Sequence, residues 1–279
     1  MIKELLTPRT IFTTDRASYT LIERVGTTGC NWMAESQDRA GFNFIKFAPG
    51  YASDQVALLY REAMAFELLC DHPGLVHIED EGQYHGLPLV VFPYYPRPSL
   101  ADLKRNTEGR KLPEGFVTRA VMSVASTLDY IHTRRIVHRD VKPANILVGE
   151  KQCLLIDFGV ARVPQFHDLE GRFFGTPAYA SPEVLEDDAF VDGRADVYSL
   201  GITAFSCLTG MIPLLGEDTE KTWVRHILED GPDPRNYNAR ISRGLAEVVV
   251  RATKRHPSDR FQTAGDLRNA LRDVSTHMA

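Results

Sequence analysis

Over the first third of the chain, apolar and polar residues alternate in short runs. Tyr19 to Val25, Phe42 to Phe47, Val76 to Asp80 and Leu89 to Phe92 carry this pattern, which predicts strands of a small sheet. One stretch breaks the period. From Asp54 to Leu69, the residues Val56, Leu59, Ala63, Phe66 and Leu69 fall at helical spacing, with Ser53 or Asp54 placed to cap the first turn. After Pro113 the pattern turns helical: Phe116, Val117, Ala120, Val121, Val124, Leu128 and Ile131 form one stripe, and a second apolar helix is predicted from Val197 to Leu208. Pro93 to Pro98 and Gly231 to Pro234 read as connections. The succession predicts an α+β protein, sheet first and helices afterwards, with no internal repeat.

Candidate chemistry is concentrated between Ile136 and Gly159. That stretch holds His138-Arg139-Asp140, then Lys142-Pro143-Ala144-Asn145, then Asp157-Phe158-Gly159. Asn145 follows Asp140 closely enough for one tight loop to hold both, and the apolar run Leu154-Leu155-Ile156 reads as a strand delivering Asp157 to the same point. Either motif alone is weak, but both in order with Lys142 and Asn145 between them are specific. Together they resemble the protein kinases, and Asp140-x-Lys142-Pro143-x-Asn145 is similar to the Ser/Thr class. Eukaryotic-like (Hanks-type) kinases of bacteria are the nearest in kind.

The resemblance runs from about Tyr19 to Leu271 and implies a two-lobed protein-kinase fold. A small antiparallel lobe with one helix would occupy residues 1–95, and a larger, mainly helical lobe residues 96–279, as one catalytic domain. It also implies roles. Asp140 would accept the proton of the attacking hydroxyl, Lys142 would reach the transferring phosphate, and Asn145 and Asp157 would each hold Mg²⁺, with Mn²⁺ as an alternative ion. Lys46 would hold the α- and β-phosphates of ATP and pair with Glu62, preferred over Glu67. Gly26, Gly29, Met33 and Phe44 would lie over the nucleotide. Phe92 would be the gatekeeper, Pro93 and Tyr95 would meet adenine through a carbonyl and an N–H, and Leu147 would form the pocket floor. Gly175-Thr176-Pro177-Ala178-Tyr179 with Ser181-Pro182-Glu183 is similar to the segment that receives a peptide substrate, with Thr176 bonding near Asp140 and Lys142. Asp196 resembles the aspartate that holds the catalytic-loop backbone, and Arg260 the arginine that pairs with Glu183.

Three features depart from the family pattern. Where it reads G-x-G-x-x-G-x-V, this chain has Gly26-Thr27-Thr28-Gly29-Cys30-Asn31-Trp32-Met33. β-Branched Thr tolerates positive φ badly, at a cost of roughly 1–2 kcal/mol. Phe44 stands where the family has a small residue roofing the adenine. Between Asp157 and Gly175 there is no Ser, Thr or Tyr, so Asp168 or Glu170 is left to offer negative charge to Arg139. The expected function is transfer of the γ-phosphoryl group of ATP to protein Ser or Thr hydroxyls. The alternative is a pseudokinase-like scaffold with impaired nucleotide binding that acts through a partner. A small-molecule phosphotransferase is disfavoured by the peptide-docking segment.

Composition narrows the partners further. The chain has 279 residues, 43% of them hydrophobic, enough for a full core. A net charge of −5 argues against nucleic acid as the main partner. The four cysteines, Cys30, Cys70, Cys153 and Cys207, lack metal-binding or disulfide spacing, and Cys30 is expected on an exposed loop. No apolar run reaches the roughly 18 residues of a membrane span. Protein substrate and ATP are the expected partners, the cytoplasm the expected location, and homodimer formation stays open.

Overall fold

The β-sheet is built around a central strand pair whose alternate residues point to opposite faces. Strands Ile11–Thr13 (β1), Ser18–Arg24 (β2), Asn31–Ser36 (β3), Phe42–Phe47 (β4), Asp80–Tyr84 (β5) and Leu87–Pro93 (β6) form one sheet in the order β1-β2-β3-β4-β6-β5, with every neighbouring pair antiparallel. Trp32 and Ala34 of β3 and Ile45 and Phe47 of β4 are fully buried on one face. Met33, Phe44 and Lys46 take the other, since side chains on a strand alternate. Helix Ser53–Leu68 (α1) follows β4.

The computed structural model describes residues 5–26, 30–38, 40–69, 72–164, 166, 175–186 and 191–276. It divides into two compact units, the first of Met1–Asp71 with Val76–Pro96 and the second of His72–Leu75 with Arg97–Ala279. This is the α+β arrangement that the resemblance implies.

Three expectations for the first unit need correction. The segment Val76 to Glu79 is not a strand; pairing starts at Asp80. The cause is the turn at His85-Gly86, where φ values of 50° and 75° give the two left-handed residues of a type I′ hairpin. That turn pairs Tyr84 with Leu87 and so sets the register back to Asp80 opposite Val91. Helix α1 is capped neither by Ser53 nor by Asp54: its N-cap is Ala52, which supplies no side-chain bond. Cys30 is 6% exposed rather than on an open loop, because its carbonyl accepts from Phe47 N–H and draws it into the sheet. Strands β1 and β3 were absent from the sequence expectation, although Trp32, Ala34 and Ser36 alternate with more exposed residues.

The second unit contains Leu100–Arg105 (α2), Glu114–Thr133 (α3), Pro182–Leu185 (α4), Gly193–Thr209 (α5), Thr219–Leu228 (α6), Arg243–Ala252 (α7) and Ala264–Thr276 (α8). A two-stranded ribbon of Ile146–Val148 (β7) and Cys153–Leu155 (β8) accompanies them. The stripe of α3 buries Val117, Ala120, Val121, Val124, Leu128 and Ile131, with Phe116 half-buried at its margin. Helix α5 is buried from Ala195 to Thr209, so it is a central core helix rather than an amphipathic one. Helices α3, α7 and α8 pack on it. It ends at Gly210, whose φ of 78° is the left-handed cap geometry and whose missing Cβ would meet the Gly109 carbonyl at 2.3 Å. Among the described residues, no helix is long and apolar enough to cross a membrane.

Candidate active site

The candidate catalytic loop is anchored by one buried carboxylate. Asp196, in the first turn of α5, is fully buried; its Oδ2 accepts from His138 N–H and from His132 Nε2, both at 2.8 Å, and its Oδ1 accepts from Arg139 N–H at 2.9 Å. Burial alone would raise its pKa. The bond and charge of His132, with the N–H of His138, outweigh burial and hold the carboxyl below its ordinary range. With its backbone pinned, Arg139 adopts φ of 64°, a left-handed conformation that bulky residues rarely enter. Reading the sequence did not single out His132; it comes six residues before His138, and only the fold puts it against α5.

Asp140 is held on one side and left open on the other. Its Oδ2 accepts from Lys142 Nζ at 2.5 Å and Asn145 Nδ2 at 2.9 Å, while Asn145 Nδ2 also donates to the Asp140 carbonyl at 2.9 Å. Asp140 Oδ1 is buried without a hydrogen-bond partner. Such an atom carries a desolvation cost until a donor reaches it. Lys142 Nζ also donates to Thr176 Oγ1 at 2.5 Å, tying the loop to the Gly175–Tyr179 segment. Both N–H groups of the Asn145 amide go to Asp140, which leaves the amide oxygen as the atom available to a cation.

Asp157 follows β8, and Ile156 N–H donates to the Asn145 carbonyl at 3.0 Å, so the two candidate metal ligands are joined through one backbone bond. Asp157 itself has φ of 68°. Phe158 is fully buried with its ring edge-on to His138, centroids 4.6 Å apart. His138 Nδ1 accepts from Asp140 N–H at 3.2 Å and Nε2 donates to the Ile156 carbonyl at 3.1 Å, which fixes the Nε2–H tautomer. Leu147, on β7, is half-buried and pairs with Leu154. The segments 167–174 and 187–190 lie outside the described residues, and with them Asp168 and Glu170.

In the first unit, Lys46 Nζ lies 2.7 Å from Glu62 Oε2. Glu62 is 2% exposed, whereas Glu67 is on the exposed face of α1. Phe44 is opposite Met33 on β3 and Phe92 on β6, its ring centroid 6.3 Å from that of Phe92. Phe66 of α1 meets Phe92 edge-on at 5.5 Å. Pro93 ends β6 opposite Asn43, and Tyr94 N–H donates to the Phe42 carbonyl at 2.9 Å just before Tyr95. Gly26 has φ of 74°, a conformation that glycine adopts without penalty. Thr27, Thr28 and Gly29 lie outside the described residues.

Beside the catalytic loop, Thr176 leads into a turn of 3-10 helix at Pro177–Tyr179 and then into α4. Glu183 of α4 receives Arg260 through two bonds, 2.6 Å to Oε1 and 2.9 Å to Oε2. Tyr179 is buried, which pushes its pKa up to about 12.

A model of the protein kinase domain matches residues 25–271. The serine/threonine-protein kinase PknB of Mycobacterium leprae is 34% identical over 209 residues, covering 72% of this chain and 33% of that protein. A probable serine/threonine-protein kinase of Clostridium perfringens, CPE1738, is 30% identical over 269 residues, covering 91% of this chain and 38% of that protein. The chain thus spans about a third of the length of such relatives. Among solved structures, a point variant of the Mycobacterium tuberculosis PknI kinase domain superposes with a TM-score of 0.72 at 26% identity, covering 97% of this chain and 99% of that one. The chain belongs to the protein kinase domain family, as a catalytic domain of the eukaryotic-like serine/threonine type found in bacteria.

Proposed function

We propose that this domain transfers the γ-phosphoryl group of ATP to Ser or Thr hydroxyls of a protein. The observation that carries the reading is the asymmetry at Asp140: one carboxylate oxygen engaged by Lys142 and Asn145, the other buried and unpaired. A substrate hydroxyl would supply the missing donor and be oriented by it. Its oxygen then forms the new bond to the γ-phosphorus as the bond to the ADP oxygen breaks, and its proton passes to Asp140 Oδ1. Positioning and charge stabilisation supply most of the rate. Lys142, between Asp140 and Thr176, would place its positive charge against the developing anion.

The donor set fits a divalent cation. Asn145 has an amide oxygen to offer and Asp157 a carboxylate, the hard oxygen ligands that Mg²⁺ or Mn²⁺ takes. Such an ion neutralises charge on the phosphates. Lys46, steadied by Glu62, would hold the α- and β-phosphates. The Gly175–Glu183 segment would dock the protein substrate. With no Ser, Thr or Tyr between Asp157 and Gly175, activity would need no phosphate on that loop.

A second reading, a scaffold with impaired nucleotide binding, is favoured by one observation. Phe44 puts an aromatic ring between Met33 and Phe92 on the face that carries Lys46. Transfer from labelled ATP with Mg²⁺ and separately Mn²⁺, comparing the native chain with Asp140→Asn and Asp157→Asn, decides between them. Label on Ser or Thr that both substitutions remove supports the kinase; no label and no nucleotide binding supports the scaffold.

A further inference from the structure

Lys104 on α2 is a buried ammonium with a hydroxyl partner in place of a counter-ion. It is 9% exposed, and its Nζ donates to Ser206 Oγ of α5. The Tyr179 hydroxyl lies 3.4 Å from the same Ser206 Oγ. Among the described residues no carboxylate pairs with Lys104. Its pKa is lowered chiefly by burial; Cys207 opposes this shift and Arg110 adds to it. The Cys207 thiol offers no counter-charge at neutral pH, because burial pushes its own pKa up to about 12.

Proton counting defines what the cluster lacks. An ammonium has three donors and no acceptor; one goes to Ser206 Oγ and one hydroxyl proton is spent between Tyr179 and Ser206, which leaves two ammonium donors and one hydroxyl donor. Three groups rich in donors, one of them cationic and largely dehydrated, match a carboxylate or phosphate. The location supplies the rest. Helix α2 packs on the Pro143–Asn145 turn of the catalytic loop, and α5 packs on the Pro177–Tyr179 turn. The exposed residue of the first turn is Ala144, which brings no charge.

We infer that Lys104, Ser206 and Tyr179 form an anion-recognising corner of the substrate-docking segment, so that the preferred protein substrate carries an anionic side chain, carboxylate or phosphorylated, beside its acceptor hydroxyl. The inference rests on the protein-kinase reading for the docking of a peptide there. Lys104 and Tyr179 each keep 9% of their surface exposed, and the anionic side chain approaches along it.

The test is direct binding by fluorescence anisotropy, which does not depend on turnover, with phosphate transfer followed in parallel. Labelled peptides carry the acceptor flanked by Glu, phosphoserine, Gln or Arg. Glu or phosphoserine peptides should bind roughly ten- to hundredfold tighter than Gln peptides, the scale of a hydrogen bond to a charged group. A gain confined to one of the two identifies which source of negative charge is read. Lys104→Met should collapse the ratio towards one. Ser206→Glu, which keeps the lysine and supplies an internal counter-ion, should do the same even where Lys104→Met fails to fold. Equal binding of all four peptides, a ratio that survives both substitutions, or no binding of any anionic peptide overturns the inference. Preferential binding without transfer would sustain anion recognition and count against the kinase reading; transfer without preference would do the reverse.

Discussion

Glu183 and Arg260, 77 residues apart in sequence, meet through two charge-assisted hydrogen bonds with Arg260 fully buried. The remaining donors of Arg260 are also used: Nε bonds the Lys254 carbonyl at 2.7 Å, Nη1 the Arg194 carbonyl at 3.0 Å and Nη2 the Arg255 carbonyl at 2.7 Å. All five guanidinium protons are therefore satisfied, and α4 is fastened to the loop before α8 and to the start of α5.

Arg260→Met should cost about 3–5 kcal/mol, because it strands a carboxylate and three carbonyls in the interior. Denaturant unfolding measures this. The double substitution Arg260→Met with Glu183→Leu should cost less than Arg260→Met alone, since no unpaired charge remains. A double variant as unstable as the single one would show that packing, not charge, dominates.

Asp140→Asn should lower turnover by roughly 10²–10⁴. It leaves the loop hydrogen bonds largely in place, so nucleotide affinity should change little. Steady-state kinetics and nucleotide titration on the same preparation separate these effects. Asp157→Asn should be at least as severe and should weaken metal affinity, so that any residual transfer needs a higher Mg²⁺ concentration at half-maximal activity, and chelation by excess EDTA should abolish transfer by the native chain.

Phe44→Ala should tighten nucleotide binding if its ring obstructs the adenine site, by about tenfold for each 1.4 kcal/mol of obstruction relieved. The ring packs between Met33 and Phe92, so the same substitution should lower the unfolding midpoint. Weaker nucleotide binding in Phe44→Ala would instead make the ring part of the binding surface.

His226 should make stability depend on mild acid. Its Nδ1 shares a hydrogen bond with the Tyr198 hydroxyl at 2.8 Å, and burial, with Arg225 adding, lowers its pKa from 6.5 to about 4. The unfolded chain thus takes up the proton first as pH falls, and the stabilisation present above 6.5 is lost progressively down to about 4. At about 1.4 kcal/mol per pH unit, the loss is on the order of 3 kcal/mol. His72, lowered by burial and Arg134, acts in the same direction. Unfolding measured between these pH values should have a shallower slope in His226→Gln. At lower pH, Asp196 adds its own loss, because a carboxyl held below its ordinary range stabilises only while ionised.

The candidate catalytic stretch was legible because its contacts are local: Asn145 reaches Asp140 across five residues of one loop, and β8 leads into Asp157 within the same stretch. The long helices were legible because burying one face imposes a period on the sequence, as in α3. The first unit was harder to read. Its strand β5 is placed by the His85-Gly86 turn rather than by the apolar residues Val76 and Ile78, and β3 was lost in a segment interpreted as a glycine-rich loop.

Motif and spacing were enough for the resemblance to the protein kinases, which implied the reaction class and the residues expected to perform it, and the period of the apolar positions gave the succession from sheet to helices. Which polar groups became buried together, only the tertiary structure decided. Lys104 and Ser206 are 102 residues apart, and His132 and Asp196 are 64 apart. Nothing local distinguishes Lys104 from a solvated lysine or His132 from a surface histidine. Their burial and hydrogen bonds are supplied by segments distant in sequence, and desolvation is a property of the packed fold.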